Sequence, residues 1–280
     1  MTLPQLLIDD AVKRALEEDL GQAGDITSKA CISVNANSKA VIVARAEGAI
    51  AGVNLARAAF NIIDPDIEIS IRKNDGDFVG DGDIVMSIEG PSRGILSAER
   101  VALNFLGRLS GVATATAALV NAVTGTHAKI ACTRKTTPLL RAFEKYAVRC
   151  GGGFNHRFGL YDALMIKDNH VAAAGGIAEA MRAAKASVGH MTPIEIEVDT
   201  IEQLEEALEH GAHIVLLDNM TLDDLRLAVS LTKGRAVLEA SGGVTLKTAR
   251  AIAETGVDII SSGAITHSAP SLDLGLDFID

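Results

Sequence analysis

Residues 133 to 170, TRKTTPLLRAFEKYAVRCGGGFNHRFGLYDALMIKDNH, gather seven Lys or Arg against three acids, in a chain of formal net charge −10. Arg134 and Lys135 close one apolar run, KIACTRKTT, and Lys167 closes another, ALMIKDN. His156 and Arg157 follow Gly151-Gly152-Gly153, where backbone can approach a ligand closely. Cations at strand ends and glycine loops suit a small ligand carrying carboxylates and phosphates. Arg141, Lys145 and Arg149 recur at i, i+4 and i+8 beside Glu144 and read instead as a solvated helix face.

The acids form a second set. Glu195, Glu197 and Asp199 alternate, so they share one face of a strand, and Asp218 ends the next apolar run. Acids on an inward face need cations, a metal or sugar hydroxyls. Two readings stand: pairing with Arg134 or Lys167, or a magnesium and ribose site. Ser241-Gly242-Gly243 and Ser262-Gly263-Ala264 follow the last two runs, where barrels often build a phosphate site from backbone N–H groups at a helix N-terminus. His156 and His170 also admit the role of ordinary polar core residues, and no H-E-x-x-H or paired Cys supports zinc. Lys167 admits a Schiff-base reading, but Asp168 and Glu197 would oppose the lowered pKa that it requires. Cys132 reads as a buried strand-end thiol rather than a reactive one.

Positioning these residues requires a repeated unit. After residue 125, apolar runs (KIACTRKTT, ALMIKDNH, PIEIEVDT, HIVLLDN, AVLEASGG, DIISSGA) alternate with amphipathic helices. This is a βα repeat with a parallel sheet buried on both faces. Polar residues after every run describe a barrel mouth; a doubly wound sheet would gather them at one switch point. Six strands are legible. Upstream, a helix over 3–20 is expected, with a Thr2–Gln5 capping box and a Gly21 stop. GDITSKA reads as irregular or strand, VIVARAEGAIAG as strand, and VNLARAAFNII as a helix ended by Asp64-Pro65. IEISI and DIVMSI, with Asp-Gly turns between them, read as plain antiparallel sheet. Residues 97–124 read as long helix whose Arg100 and Arg108 lie off the apolar stripe and look solvated.

Composition narrows the classes. Aromatics are 3% and Trp is absent, which argues against nucleic-acid stacking surfaces. The acidic balance argues against a phosphate-backbone binder or membrane-surface protein. Cys31, Cys132 and Cys150 give no disulfide framework, which fits a reducing cytoplasm. No signal peptide is expected, because Asp9 and Asp10 follow only a few apolar residues. No transmembrane span is expected either, since no window approaches about 20 apolar residues.

The segment TRKTTPLLRAFEKYAVRCGGGFNHRFGLYDALMIKDNH, with EIEVDT, VLLDN, EASGGV, SSGAITHS, EDLGQAGDITS and SAERVALNFLGRLSG, closely resembles the quinolinate phosphoribosyltransferases over nearly the whole chain. One departure is Leu139, where that family usually has Gly in T-P-G-L-R; a small local backbone difference is expected there. The resemblance implies transfer of phosphoribosyl from phosphoribosyl diphosphate to quinolinate with decarboxylation, giving nicotinate mononucleotide, pyrophosphate and CO2 with Mg²⁺, as a step of NAD synthesis. It implies that Arg134, His156, Arg157 and Lys167 surround the quinolinate carboxylates, with Arg100 entering from the other subunit of a homodimer or higher oligomer. Lys135 would hold the phosphoribosyl diphosphate. Glu197 and Asp218 would face the ribose and the metal, directly or through water. Ser241, Gly242, Gly243, Ser262, Gly263 and Ala264 would cradle the 5′-phosphate, with His267 close by. The implied architecture is an α/β domain over 1–110, joined by a tail over 268–280, and a seven-stranded open (β/α) barrel over 111–267. A same-fold paralogue acting on another pyridine acid, or associated with molybdenum transport, is the alternative; the intact HR and KDN motifs weigh against it. A non-catalytic barrel would not need cations and acids at every strand end.

Overall fold

The computed structural model describes residues 2–279. From the N-terminus, α1 (Gln5–Leu20) and α2 (Ile26–Cys31) precede β1 (Asn37–Ala44), β2 (Gly48–Ala49), α3 (Val53–Ile63), β3 (Glu68–Ile71), β4 (Phe78–Val79) and β5 (Ile84–Pro91). The long α4 (Ser92–Ala122) follows, then β6 (Lys129–Ala131), α5 (Arg141–Cys150), β7 (Leu164–Ile166), α6 (Asp168–Ala174) and α7 (Ile177–Ser187). The chain continues through β8 (Ile194–Val198), α8 (Ile201–Glu209), β9 (Ile214–Asp218), α9 (Leu222–Thr232) and β10 (Val237–Ser241). It ends with α10 (Ala249–Ala253), β11 (Ile259–Ser261), α11 (Ala264–His267) and β12 (Leu274–Ile279). Two compact units emerge. One comprises the residues up to Ala117, Phe143–Gly152 and those from Ala269 on; the other comprises Ala118–Ala142 and Gly153–Ser268.

In the first unit α1 buries Ile8, Val12 and Leu16, spaced by one helical turn, and stops at Gly21 with φ 52°. The expected capping box is not formed. Pro4 occupies the N-cap without a side-chain bond, and Gln5 donates to Asp9 instead (2.7 Å). GDITSKA is not irregular: the Asp25 carboxylate accepts the Ser28 N–H (2.9 Å) and starts α2. The four-stranded sheet runs β12-β1-β5-β3, and every neighbouring pair is antiparallel. The C-terminal strand thus pairs with β1, Lys39 opposite Ile279 and Ala44 opposite Leu274.

Three charged positions depart from the sequence reading. Glu144 and Lys145 are fully buried, not on a solvated face. Glu144 accepts from Nη2 of Arg108 at 2.6 Å, and Nη1 of Arg108 donates to the Ala269 carbonyl at 2.7 Å, so Arg108 is not solvated either. Beside them, Tyr146 donates to Asp75 (2.6 Å); burial, then this bond, push the phenol well above its usual range. α4 is also longer and more apolar than expected. By length and composition it could cross a membrane, with a mean hydropathy of 1.3 over its most apolar window. Most of that window (56%) is buried inside the protein, which is how a core helix passes the same test. Small residues serve this packing: a Cβ at Gly111 would overlap the Pro270 carbonyl.

The second unit is a six-stranded parallel sheet in the order β6-β11-β10-β9-β8-β7, and its strands fall on the six runs legible in the sequence. Inward side chains of Ala131, Leu164, Glu195, Ile214, Glu239 and Ile259, one from each strand, border one cavity of about 310 Å³. That requires the sheet to curl into an open barrel. The seventh strand of the expected barrel is a single parallel bridge, Ala131 to Phe154. Phe154 donates to Ile130 (2.8 Å) and accepts from Cys132 (3.0 Å). Glycines before it are poor strand formers, and beyond it Asp162 accepts the N–H groups of Phe158 and Gly159, turning the chain away.

Candidate active site

The strand ends of the second unit converge on a cavity of about 410 Å³. Arg134 and Lys135 reach it from the loop after β6, His156 and Arg157 from the segment after Phe154, and Lys167 from the end of β7. Glu197 of β8, Asp218 of β9, and Glu239 and Ser241 of β10 complete its polar wall. Four cations therefore meet three lining carboxylates.

The loops are held firmly. Arg141, expected to be solvated, ties two of them together. Its Nε donates to Thr136 Oγ1 (3.0 Å), and its Nη groups donate to the carbonyls of Phe158 (2.9 Å) and Arg134 (3.4 Å). Thr266 of α11 donates to the Lys135 carbonyl (2.7 Å). Gly263 lies so close to Lys135 that a Cβ there would stand 2.8 Å from its side chain. Gly242 has φ 96°, and a Cβ there would overlap the Asn219 amide, so this glycine is required by both conformation and space. The phosphate loops differ from the expectation in one respect. Val244–Thr248 separate Gly243 from α10, and α11 has only four residues, so loop amides rather than a long helix N-terminus are what these turns offer. Gly242, Gly243, Ser262, Gly263, Ala264 and His267 lie at these strand ends without lining the cavity.

Two groups of charge stand out. Lys167 and Glu197 form a close ion pair inside the pocket, with the lysine 42% and the glutamate 13% exposed. This is the structural pairing that the sequence left open, and it sets the amine against a carboxylate, which weighs against the Schiff-base reading. Arg134 and Arg157 are a like-charged pair: burial, then Arg134, hold the Arg157 guanidinium below its usual pKa. The Nε atoms of both are buried without a hydrogen-bond partner. Such atoms are uncommon in a folded protein and point to a bound partner.

At the cavity floor His156 donates from Nε2 to Glu195 (2.8 Å) and accepts the Arg157 N–H at Nδ1 (2.8 Å). His170 is not a core residue. It is exposed, and its Nδ1 accepts the Lys167 N–H (2.9 Å) at the start of α6. Asp199 is exposed beyond β8, where its backbone N–H donates to Gln203 (2.7 Å), so it does not join Glu195 and Glu197. Cys132 is fully buried at its strand end. Arg100 is an exposed residue of α4. Glu239 was missed as a site residue, whereas Ser261, one of the polar residues ending the last run, does line the cavity. The alternation of AVLEASGG carried the signal for Glu239, since two residues before Ser241 is the same strand face. Leu139 has φ 67° and a 94% exposed side chain, so the chain keeps here a backbone conformation that glycine enters freely.

The family models agree with this architecture. The quinolinate phosphoribosyl transferase N-terminal domain matches residues 25–110, and the C-terminal domain of the same family matches 112–277. A protein of Bacillus subtilis named probable nicotinate-nucleotide pyrophosphorylase (carboxylating) is 46% identical over 260 residues, covering 93% of this chain and 89% of that one. The nicotinate-nucleotide pyrophosphorylase (carboxylating) of Mycobacterium leprae is 44% identical over 273 residues, 96% of each chain. The solved nicotinate-nucleotide pyrophosphorylase of Francisella tularensis superposes with a TM-score of 0.95 at 40% identity, covering 99% of this chain and 98% of its own. The chain belongs to the quinolinate phosphoribosyl transferase family.

Proposed function

We propose that this protein transfers the phosphoribosyl group of phosphoribosyl diphosphate to quinolinate, releasing pyrophosphate and CO2 and forming nicotinate mononucleotide, as a step of NAD synthesis. The observation that carries it is the pair of half-buried guanidiniums, Arg134 and Arg157, whose buried Nε atoms have no protein partner. Arg157 Nη1 donates to the Ala163 carbonyl (3.0 Å), but among the described residues no carboxylate pairs with either guanidinium, and two adjacent cations suit a dianion such as quinolinate, with its two neighbouring carboxylates.

In this reading Arg134, Arg157 and Lys167 bind the carboxylates, joined by Arg100 from the partner subunit of a homodimer. Lys135 holds the diphosphate, and the turns at Ser241–Gly243 and Ser262–Ala264, with His267, take the 5′-phosphate. Both ring nitrogens of His156 already bond within the protein, so its part is to order the floor beneath the carboxylates. Glu197 and Asp218 sit on adjacent strands and line one cavity, the hard oxygen donors that Mg²⁺ prefers. They would hold the ion, directly or through water, and bound Mg²⁺ would offset the charge of the departing diphosphate. The same carboxylates offset the positive charge that develops on the ribose. The pyridine nitrogen attacks C1′ as the bond to pyrophosphate breaks. The cationic ring then loses its 2-carboxylate as CO2, the electron pair stays on C2, and a proton replaces it. The protein supplies orientation and electrostatics, with no covalent enzyme intermediate. None of the three cysteines is in a disulfide, which fits a cytoplasmic site of action.

The test is turnover followed by ultraviolet absorbance, with phosphoribosyl diphosphate, Mg²⁺ and either quinolinate or nicotinic acid. Product from quinolinate alone is expected. Product from nicotinic acid alone would overturn the carboxylate assignments, and silence with both would overturn the activity.

A further inference from the structure

Beneath the cations, the floor of the pocket holds a charge arrangement that the reaction above does not use. Glu195 and Glu239 are both buried and both reach toward Nε2 of His156, at 2.8 and 3.8 Å. One oxygen of each has no hydrogen-bond partner. The ring offers them a single hydrogen, because Nδ1 accepts the Arg157 N–H and so leaves Nε2 as the donor. That bond also argues against a metal at Nε2, which would move the hydrogen to Nδ1 and set it against the Arg157 N–H. Two buried carboxylates sharing one donor do not both stay ionised. Glu195 has the nearer donor and lies within range of the Arg157 charge, whereas Glu239 stands 3.8 Å from the same nitrogen. Glu239 has neutral register partners on both flanking strands, Leu216 of β9 and Ile259 of β11. Burial, then Glu195, push its carboxyl up to about 7, against the opposing pull of His156 and Ser261. Around the rim, Lys167 pairs with Glu197, while Arg134 and Lys135 stand at the end of β6 and Asp218 at the end of β9.

We propose that Glu239 is a further residue of the quinolinate subsite, acting as a neutral carboxylic acid, so that binding the dianion above neutral pH draws one proton into the floor. This rests on the function proposed above. The proton comes from solvent, forms an O–H bond on a Glu239 oxygen, and leaves when the site empties. The sign follows from linkage. A bound dianion disfavours charge on Glu239 and raises its pKa further. Below its free value the group already carries the proton, so binding takes up none. Above that value uptake approaches one, and affinity falls by up to about tenfold per pH unit.

Calorimetric titration of the protein with quinolinate, at about pH 6 and about pH 8, each in two buffers of different ionisation enthalpy, reads the uptake directly. Near one proton at the higher pH and near none at the lower are expected. In Glu239→Gln the uptake should vanish, and the fall in affinity between about pH 7 and 9 should go with it. Wild-type binding without uptake at the higher pH overturns the inference, whether or not the variant folds. Uptake that persists in folded Glu239→Gln overturns it too, and assigns the proton to His156. Wild-type protein that neither binds nor turns over quinolinate overturns the function itself, and this inference falls with it.

Discussion

Each unit of this protein buries charge, and the two treat it in opposite ways. In the first, Glu144 is fully buried, yet Arg108 donates to it, and the same guanidinium also satisfies the Ala269 carbonyl. In the second, Nε of Arg134 and of Arg157, Oε1 of Glu195 and of Glu239, and Oγ of Ser261 are buried without partners around two cavities that share Arg157 and Glu239. The sixth such atom among the described residues, Oγ1 of Thr232, lies apart from them, also in the second unit. Matched charge holds a fold in one arrangement. Unmatched charge, placed where water can be displaced, costs stability and reserves bonds for a ligand.

That contrast can be broken by exchange of evidence between the two regions. The largest effect is expected at the matched pair. Glu144→Ala leaves Arg108 without its carboxylate and should cost roughly 3 kcal/mol of unfolding free energy; a denaturant midpoint unchanged from the wild type would mean the pair is not structural. Next, Arg134→Ala should cut quinolinate turnover by well over tenfold, since a charge-assisted bond contributes about 1.5–3 kcal/mol. Its melting temperature should stay level or rise, because Arg157 loses a like-charged neighbour. A variant that keeps wild-type turnover, or that unfolds easily, would place Arg134 in the matched class.

A smaller effect sharpens the comparison at a group that is matched but only half-buried. Asp25→Ala removes the cap of α2 and should cost about 1 kcal/mol at neutral pH. Hydrogen bonds from Ser28, first its side chain and then its backbone, hold the Asp25 carboxyl below its ordinary value. A depressed pKa contributes stability above the unfolded value, and that contribution is lost as pH falls through the folded one. The gap between wild type and variant should therefore narrow in acid. A gap that stays constant from neutral pH to about pH 2 would show that the charge plays no part in the cap.

The sequence made the barrel legible because its signal is local. Each apolar run is a strand, and the polar residue that ends it faces the mouth, so Arg134, Lys135, Lys167, Glu197 and Asp218 meet in one cavity. The matched charges were illegible because their partners are distant: Arg108 and Glu144 lie 36 positions apart, and Arg108 and Ala269 lie 161 apart. Arg141, Lys145 and Arg149 spaced one turn apart look like a solvated face whether or not another element covers them. Only Arg149 of the three is exposed. α2 escaped because six residues give too short a period, although Asp25 with Ser28 three positions later is a cap signature. Glu239 escaped inside an apolar run, where its alternation with Ser241 was the only cue.

The smallest predicted effect tests the loop that carries the unmatched cations. Leu139 holds φ 67° with its side chain 94% exposed, so it gains no packing in return for a conformation that disfavours a Cβ. Left-handed backbone costs a non-glycine residue about 1–2 kcal/mol. Glycine avoids that cost but loses more conformational freedom on folding, by about 0.5–1 kcal/mol. Leu139→Gly should therefore stabilise the protein slightly, by about 0.5 kcal/mol. Its effect on turnover separates two ways of holding Arg134. If Arg141, through Thr136, Phe158 and the Arg134 carbonyl, fixes the loop, then Leu139→Gly should leave kcat within about twofold. If the stiffness of Leu139 itself fixes the loop, kcat should fall while stability rises, and Arg141→Ala should then do less damage to turnover than Leu139→Gly. The three bonds that Arg141 makes favour the first outcome.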